Sequence, residues 1–250
     1  MARDKRRKVR HRGRRKKTGF ASWSIGKKIG AILGGTFLTV AVIGGVIVAS
    51  KMNKLETVSL DTDKLNISDE VQHEEGYTNI ALFGLDSREN DLGKGNRSDT
   101  IMIASLNNDT KEVKLVSIYR DTLLQLDDGS YNKANAAYSF GGPEGAISLI
   151  NKNLDMNIEK YVTVNFNALV DVIDAVGGLD LELTHDEVVH MNNYCVETSK
   201  VTGKDYEKIE PEVEGTYHLN GVQAVSFSRI RYTEGGDFKR AERQRLVLQK

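Results

Sequence analysis

Residues 29–50, IGAILGGTFLTVAVIGGVIVAS, run for 22 positions without a charged side chain. About 20 apolar residues suffice for a helix to cross a hydrocarbon core, so this stretch predicts one transmembrane helix and confines whatever follows it to one side of a membrane. Residues 1–28 hold thirteen Lys and Arg against the single Asp4. That asymmetry keeps an N-terminus in the cytoplasm, and the chain is expected to leave outward as a single-pass signal anchor. A cleaved leader would have a shorter apolar region and a small-residue processing site, and neither follows Ser50. The basic tail suits the anionic headgroups of the inner leaflet. A nucleic-acid reading of the same charges finds no helix-turn-helix pattern to support it.

The chain as a whole is neutral, with 35 basic and 35 acidic residues. Taking the thirteen basic residues and Asp4 out with the tail leaves 22 against 34 in residues 51–250, an acidic outer portion. Where arginines cluster there, at 229, 231, 240, 243 and 245, a specific anionic ligand explains them better than general adhesion. A solvated, ion-paired helix face remains the plainer reading of Arg240 to Arg245. Cys195 is the only cysteine, which excludes an internal disulfide. The five histidines do not fall at zinc-binding spacings, HDEVVH at 185–190 included, so any metal is expected to be hard and oxygen-bound.

Residues 51–76 are polar and acidic with little periodicity and read as a stalk; the folded region is expected over 77–250. TNIALFGLD, TIMIASLNN and EVKLVSIYR are apolar, β-branched runs of strand length, the second and third joined as a hairpin at Asn107 to Asp109. PEGAISLINKNLDM has a helical apolar spacing with Pro143 in its first turn. YVTVNF reads as a strand, NALVDVIDAVGG as a helix stopped at Gly177, GLDLELT as a strand, HLNGVQAVSFSRIRY as a short helix and FKRAERQRLVLQK as a last helix. Interleaved strands and helices of this kind predict an α/β fold in which helices flank a mixed central β-sheet in α/β/α layers. The last helix reaches residue 250 with no cap or closing strand, and the domain is expected to continue beyond it.

The chemistry gathers at strand ends, where ligands of open α/β sheets collect. Asp86 follows the strand IALFGL and Asp99 opens the next one, so the two carboxylates can share a magnesium ion whose remaining positions are filled by phosphate oxygens. Arginine forks grip such oxygens in pairs. The plainer reading has Asp86 and Asp99 capping turns or pairing with Arg88 and Arg97.

SDT, S-I-x-RDT, KANAAYSFGG, the helix end VGG, and L-N-G-x-Q-A followed by SRIRY and GDFKRAERQR together resemble the LytR-CpsA-Psr family of cell-wall ligases, from about Tyr77 to the last residue. The chain departs from the family pattern at Tyr119, where proline is usual, and at Ala134, where a branched apolar residue is usual. The resemblance implies a Mg2+-assisted phosphotransferase on the outer membrane surface of a Gram-positive-type bacterium. Such an enzyme moves an anionic glycopolymer, for example teichoic acid or capsule, from a polyprenyl-pyrophosphate carrier to a peptidoglycan hydroxyl and forms a phosphodiester. By motif position Asp86 and Asp99 would hold the metal. Arg97, Arg120, Arg229 and Arg231 would clamp the pyrophosphate, with Arg88, Asp237, Arg240, Arg243 and Gln244 in or beside that shell. Asp121 or a metal-bound carboxylate would take the acceptor proton, while Lys133, Asn135 and Tyr138 would support the site through hydrogen bonds.

A lipid carrier also needs an apolar groove, which Ile147, Leu149, Ile150, Phe166, Leu169, Val170 and Ile173 can line if they are not ordinary core. Two rivals share these residues: a polyprenyl-pyrophosphate hydrolase using water as acceptor, and a noncatalytic envelope regulator or sensor.

Overall fold

The computed structural model describes residues 56–68, 76–87 and 91–250. The basic tail, the expected membrane span and Arg88 lie outside the described residues. Among the described residues no helix is long and apolar enough to cross a membrane.

From Leu60 onward the chain forms one unit. Its strands are β1 (Tyr77–Leu85), β2 (Ser98–Asn107), β3 (Val113–Ser117), β4 (Leu123–Gln125), β5 (Tyr131–Lys133), β6 (Lys160–Val164), β7 (Leu179–Leu183) and β8 (Gly215–Leu219). The helices are α1 (Ala134–Leu154), α2 (Phe166–Ala175), α3 (His185–Thr202), α4 (Gly221–Arg229) and α5 (Gly236–Gln249). The central sheet has the order β3-β2-β1-β6; β1, β2 and β3 are antiparallel neighbours and β6 joins β1 in parallel. Two short antiparallel pairs, β4–β5 and β7–β8, stand apart from it. This is the expected mixed α/β architecture.

The pleat of β1 sends Ala81, Phe83 and Leu85 into a packed core with Ile101, Ile103 and the buried side of α1, namely Ala137, Tyr138, Ile147, Leu149 and Ile150. The Phe83 and Tyr138 rings meet edge to face at 5.3 Å. Tyr138 also donates its hydroxyl to the Leu92 carbonyl at 2.8 Å, tying the loop before β2 to α1. α1 begins nine residues earlier than its sequence pattern suggested and breaks at Gly142, whose φ of 67° leaves the helical region. Pro143 then starts the second half, as expected of a residue that needs no N–H partner in a first turn.

The segment expected to be a stalk is packed at its end. Leu65 is fully buried, and its carbonyl accepts from the buried Asn151 side chain at 2.9 Å. Asn66 bonds Asp127 and Ser148. Leu60 and Ile67 pack against the same core, and polarity hid this because the described residues between these three apolar side chains are exposed.

A second core joins α2, β7, α3, β8 and α4 through Val170, Ile173, Leu181, Met191, Cys195, Val225 and Phe227. The L-N-G-x-Q-A motif is its scaffold. Asn220 caps α4 and exchanges hydrogen bonds with Gln223, a reciprocal capping box that fixes where the helix starts. A Cβ on Gly221 would collide with the Val170 carbonyl of α2, so glycine lets α4 lie against α2 and aim Arg229.

Candidate functional site

The face of the sheet turned away from α1 does not meet a closed core. Between it and the helices lies a cavity of about 430 Å³. Leu82, Met102, Val162 and Val164 of the sheet wall one side; Phe166, Leu169 and Val172 of α2, Val225 of α4 and Val247 and Leu248 of α5 wall the other. Asp86, Asp99, Arg229, Arg231, Arg240 and Gln244 bring charge and polarity to the same lining, beside Tyr194 and Tyr232. Of the seven apolar residues proposed for a groove, Phe166 and Leu169 line this cavity, whereas Ile147, Leu149, Ile150, Val170 and Ile173 are buried core.

Gly84 has a steric reason to be glycine. A Cβ there would stand 2.9 Å from the Thr100 Cβ on the neighbouring strand, and the register shifts beside it between Gly84 and Leu85. The irregularity comes at the strand end that leads into Asp86, which is solvent-exposed.

Asp99 is the hub of the charges. Its Oδ1 accepts from Arg120 at 2.9 Å and its Oδ2 from Arg231 at 3.3 Å, and Arg240 reaches its carbonyl at 3.4 Å. Asp237 pairs with Arg240 at 3.3 Å and with Arg231 at 3.8 Å. Asp121 takes Lys133 at 2.6 Å and faces Arg120 at 3.5 Å. The Lys133 hydrogen bond holds the Asp121 carboxyl below its ordinary pKa, so it is ionised at neutral pH. Asn135 donates its backbone N–H to the Arg120 carbonyl at 3.0 Å.

Three guanidinium groups, of Arg120, Arg231 and Arg240, thus face two carboxylates, of Asp99 and Asp237. Arg240 is only 6 % exposed, and burial, followed by repulsion from Arg231, pushes its pKa below the ordinary arginine value. Among the described residues the buried Nε of Arg240 has no hydrogen-bond acceptor, and the buried Nε of Arg120 meets only Asp121 Oδ2, at 3.5 Å and without hydrogen-bond geometry. Buried donors left unpaired cost about 1–3 kcal/mol each, more when charged, which makes this a place prepared for anionic oxygens.

Arg229 is held from several directions. It donates to Glu197 and Thr198 at 2.9 Å each, and its guanidinium lies 4.4 Å from the Phe166 ring centroid and 5.4 Å from that of Tyr194. Tyr194, Glu197 and Thr198 were not singled out in the sequence. They belong to α3, whose start is nevertheless marked by a capping box between Thr184 and Glu187.

Not every arginine of the motifs enters the cavity. Arg243 turns the other way, buried against Glu187 at 2.8 Å, the Ile230 carbonyl at 3.2 Å and Thr233 at 2.6 Å. It braces α5 against α3. Arg97 is exposed in the loop before β2, and Asp99 pairs with Arg120 and Arg231 instead of with it.

A second cavity of about 370 Å³ lies beside the first and shares Asp99, Thr100, Arg240 and Gln244 with it. Its lining also includes Tyr119, Arg120, Asp121, Asp237 and Phe238.

Comparison with known proteins places this arrangement. The model of the LytR_cpsA_psr family matches residues 42–250. The polyisoprenyl-teichoic acid–peptidoglycan teichoic acid transferase TagU of Bacillus cereus is 36% identical over 227 residues, covering 85% of this chain and 66% of TagU. Biofilm regulatory protein A of Streptococcus mutans is 33% identical over 241 residues, covering 90% of this chain and 56% of that protein. The chain thus spans just under two-thirds of one relative and little more than half of the other. The crystal structure of Bacillus subtilis TagT overlays with a TM-score of 0.59 at 25% identity, covering 77% of this chain and 71% of TagT. The chain belongs to the LytR-CpsA-Psr family.

Proposed function

We propose that this protein is a membrane-anchored extracellular phosphotransferase, moving an anionic glycopolymer of the teichoic acid or capsule type from a polyprenyl-pyrophosphate carrier to a peptidoglycan hydroxyl. The observation that carries this is the joining of an apolar cavity to a cluster of arginines centred on the buried Arg240. An amphiphile with a hydrocarbon chain and a pyrophosphate head has those two demands in one molecule, and the TagU relative is named for such a polyisoprenyl-linked donor. The uncharged stretch at 29–50 and its basic flank suit a single-pass anchor with the domain outside.

The reading assigns work to each group. Arg120, Arg229, Arg231 and Arg240 bind the pyrophosphate oxygens and neutralise the charge that grows on them as the bond breaks; Gln244 adds a hydrogen-bonding side chain at the same wall. Phosphoryl transfer depends mainly on positioning and charge, so preset guanidinium groups meet most of the requirement. Asp99 and Asp237 hold those groups apart and in place, and Asp121 takes the hydroxyl proton. Asp86 and Asp99 both open on the cavity and are the oxygen donors a magnesium ion would use there, with phosphate oxygens completing its shell. Bound magnesium would supply further neutralisation of the transferring phosphate.

The test incubates the full chain with a short polyprenyl-pyrophosphate glycan and peptidoglycan oligomers, with magnesium or with chelator. Transfer that needs magnesium and disappears in Arg120→Ala is the expected result. Lipid phosphate released without an adduct would make the protein a hydrolase, and tight donor binding without turnover would make it a sensor.

A further inference from the structure

The first cavity has the apolar wall that a lipid chain needs, and the second does not repeat it. What the second offers is a set of charged and polar side chains, Asp99, Arg120, Asp121 and Asp237 among them, together with two exposed aromatic rings. Tyr119 and Phe238 pack edge to face with centroids 4.6 Å apart, yet they remain 42% and 66% exposed. Two large rings that touch each other and still face water are an unfinished surface. One comes from the loop after β3 and the other from the first turn of α5, so separate parts of the chain converge on it.

The chemistry of the proposed reaction constrains what belongs there. Displacement at a phosphorus needs the attacking and leaving oxygens roughly in line, so the acceptor must arrive on the side opposite the departing lipid phosphate. Asp99, Thr100, Arg240 and Gln244 form the wall shared by the two cavities. A pyrophosphate held at that wall with its lipid in the first cavity presents its glycan-bearing phosphorus toward the second. Asp121 lines only the second cavity, whereas Asp86 lines only the first.

We infer that the second cavity is the acceptor subsite, and that Tyr119 and Phe238 form a platform for the pyranose rings of the sugar acceptor. This deepens the transferase reading and rests on it. An acceptor hydroxyl oxygen bonds to the glycan-bearing phosphorus while the bond from that phosphorus to the bridging oxygen breaks. The bridging oxygen leaves with the electron pair as lipid phosphate, and the hydroxyl proton goes to the Asp121 carboxylate. The two rings offer the apolar faces that the C–H face of a sugar packs on, and their edge-to-face contact fixes the platform before the sugar arrives.

Two separate measurements test this. In the first, calorimetry titrates a peptidoglycan glycan oligomer into the full chain and into Tyr119→Ala, Phe238→Ala and Tyr119→Phe. Saturable binding, about 3- to 10-fold weaker in each alanine variant and restored in Tyr119→Phe, is expected, by the size of aromatic contact energies. No saturable binding, or equal affinity in all four proteins, overturns the subsite. In the second, a polyprenyl-pyrophosphate glycan is titrated into the same proteins. Donor affinity unchanged in the alanine variants is expected, and donor affinity falling in parallel with oligomer affinity overturns the division between the cavities. Failure of the unmodified chain to bind donor at all overturns the transferase reading, and the oligomer titration then still decides whether the platform binds sugar. Both rings are exposed enough that the alanine variants should fold, and unchanged melting curves verify it.

Discussion

The two faces of the central sheet are built from the same kind of residue and do different things. On one, Phe83, Ile101 and Ile103 lie in a closed core with α1. On the other, Leu82, Val162 and Val164 look into a cavity that ends in charge. A strand apolar on both sides is usually a strand buried on both sides. Here the second apolar face is left for a ligand, and the folded chain carries unfilled apolar surface in exchange for a binding site. Stability and function should therefore separate by face.

The two settings separate most clearly when one residue of the closed core and one of the cavity wall are mutated. Phe83→Ala removes a ring 1% exposed and should destabilise by about 3–5 kcal/mol, enough to threaten folding. Val172, on the α2 wall of the cavity and 56% exposed, should behave in the opposite way. Val172→Asp is expected to change stability by no more than about 0.5 kcal/mol while weakening donor binding by roughly 10-fold through lost apolar burial. Chemical denaturation and lipid titration of both variants check this; equal stability losses would mean that the cavity face is core after all.

The arginines offer the same contrast, Arg120 from the loop after β3 and Arg243 from α5. Arg120→Ala should lower turnover by about 10²- to 10³-fold with a nearly unchanged melting temperature. Arg243→Ala should do the reverse. It strands Glu187, a carboxylate whose pKa is held below its ordinary value, against its own burial, by the Thr184 N–H and by Arg243. Losing that partner is expected to cost about 3 kcal/mol, measured by thermal melting, with residual turnover falling only as the folded fraction falls. A large kcat loss at full folding would put Arg243 in the site.

These contrasts mark the limit of what the sequence discloses. The β2–β3 hairpin was legible because Asn107 and Asn108 interrupt two β-branched runs, and the end of α2 because Gly177 and Gly178 adopt a φ of 93° that few other residues accept. α3 was not. Its buried stripe, Val188, Met191, Asn192, Cys195 and Thr198, has helical spacing but puts two polar residues on the inner face, which weakens the apolar signal. The Thr184–Glu187 capping box would have found its start. β4 and β5 are three residues each, too short for alternation to show. At the site, the gathering of Asp and Arg was legible from composition at strand ends. Which arginines turn inward was not, because Arg240 and Arg243 are one helical turn apart and their fates depend on Asp237 and Glu187. Nor does an apolar residue announce whether its neighbour will be another side chain or a ligand.

Whether the helical wall opens to fill the cavity can be read at Cys195. Cys195 sits behind that wall in the second core, fully buried, next to Met191 and Phe227 in one cluster. Burial raises its thiol pKa to about 11 from the usual 9.0. Because thiolate is the reactive form, such a thiol at pH 8 should react with a maleimide or disulfide reagent at least about 100-fold more slowly than an unfolded one. The sign for stability follows from the same shift. The folded state holds its proton more tightly, so the contribution is whole below pH 9, where the unfolded thiol is protonated too, and is lost as pH rises toward 11. Labelling in the absence of donor is expected to track global unfolding. If it is faster and is suppressed by donor lipid, the wall must part to admit the chain, and the cavity face of the sheet would be distinguished from the core face by motion as well as by packing.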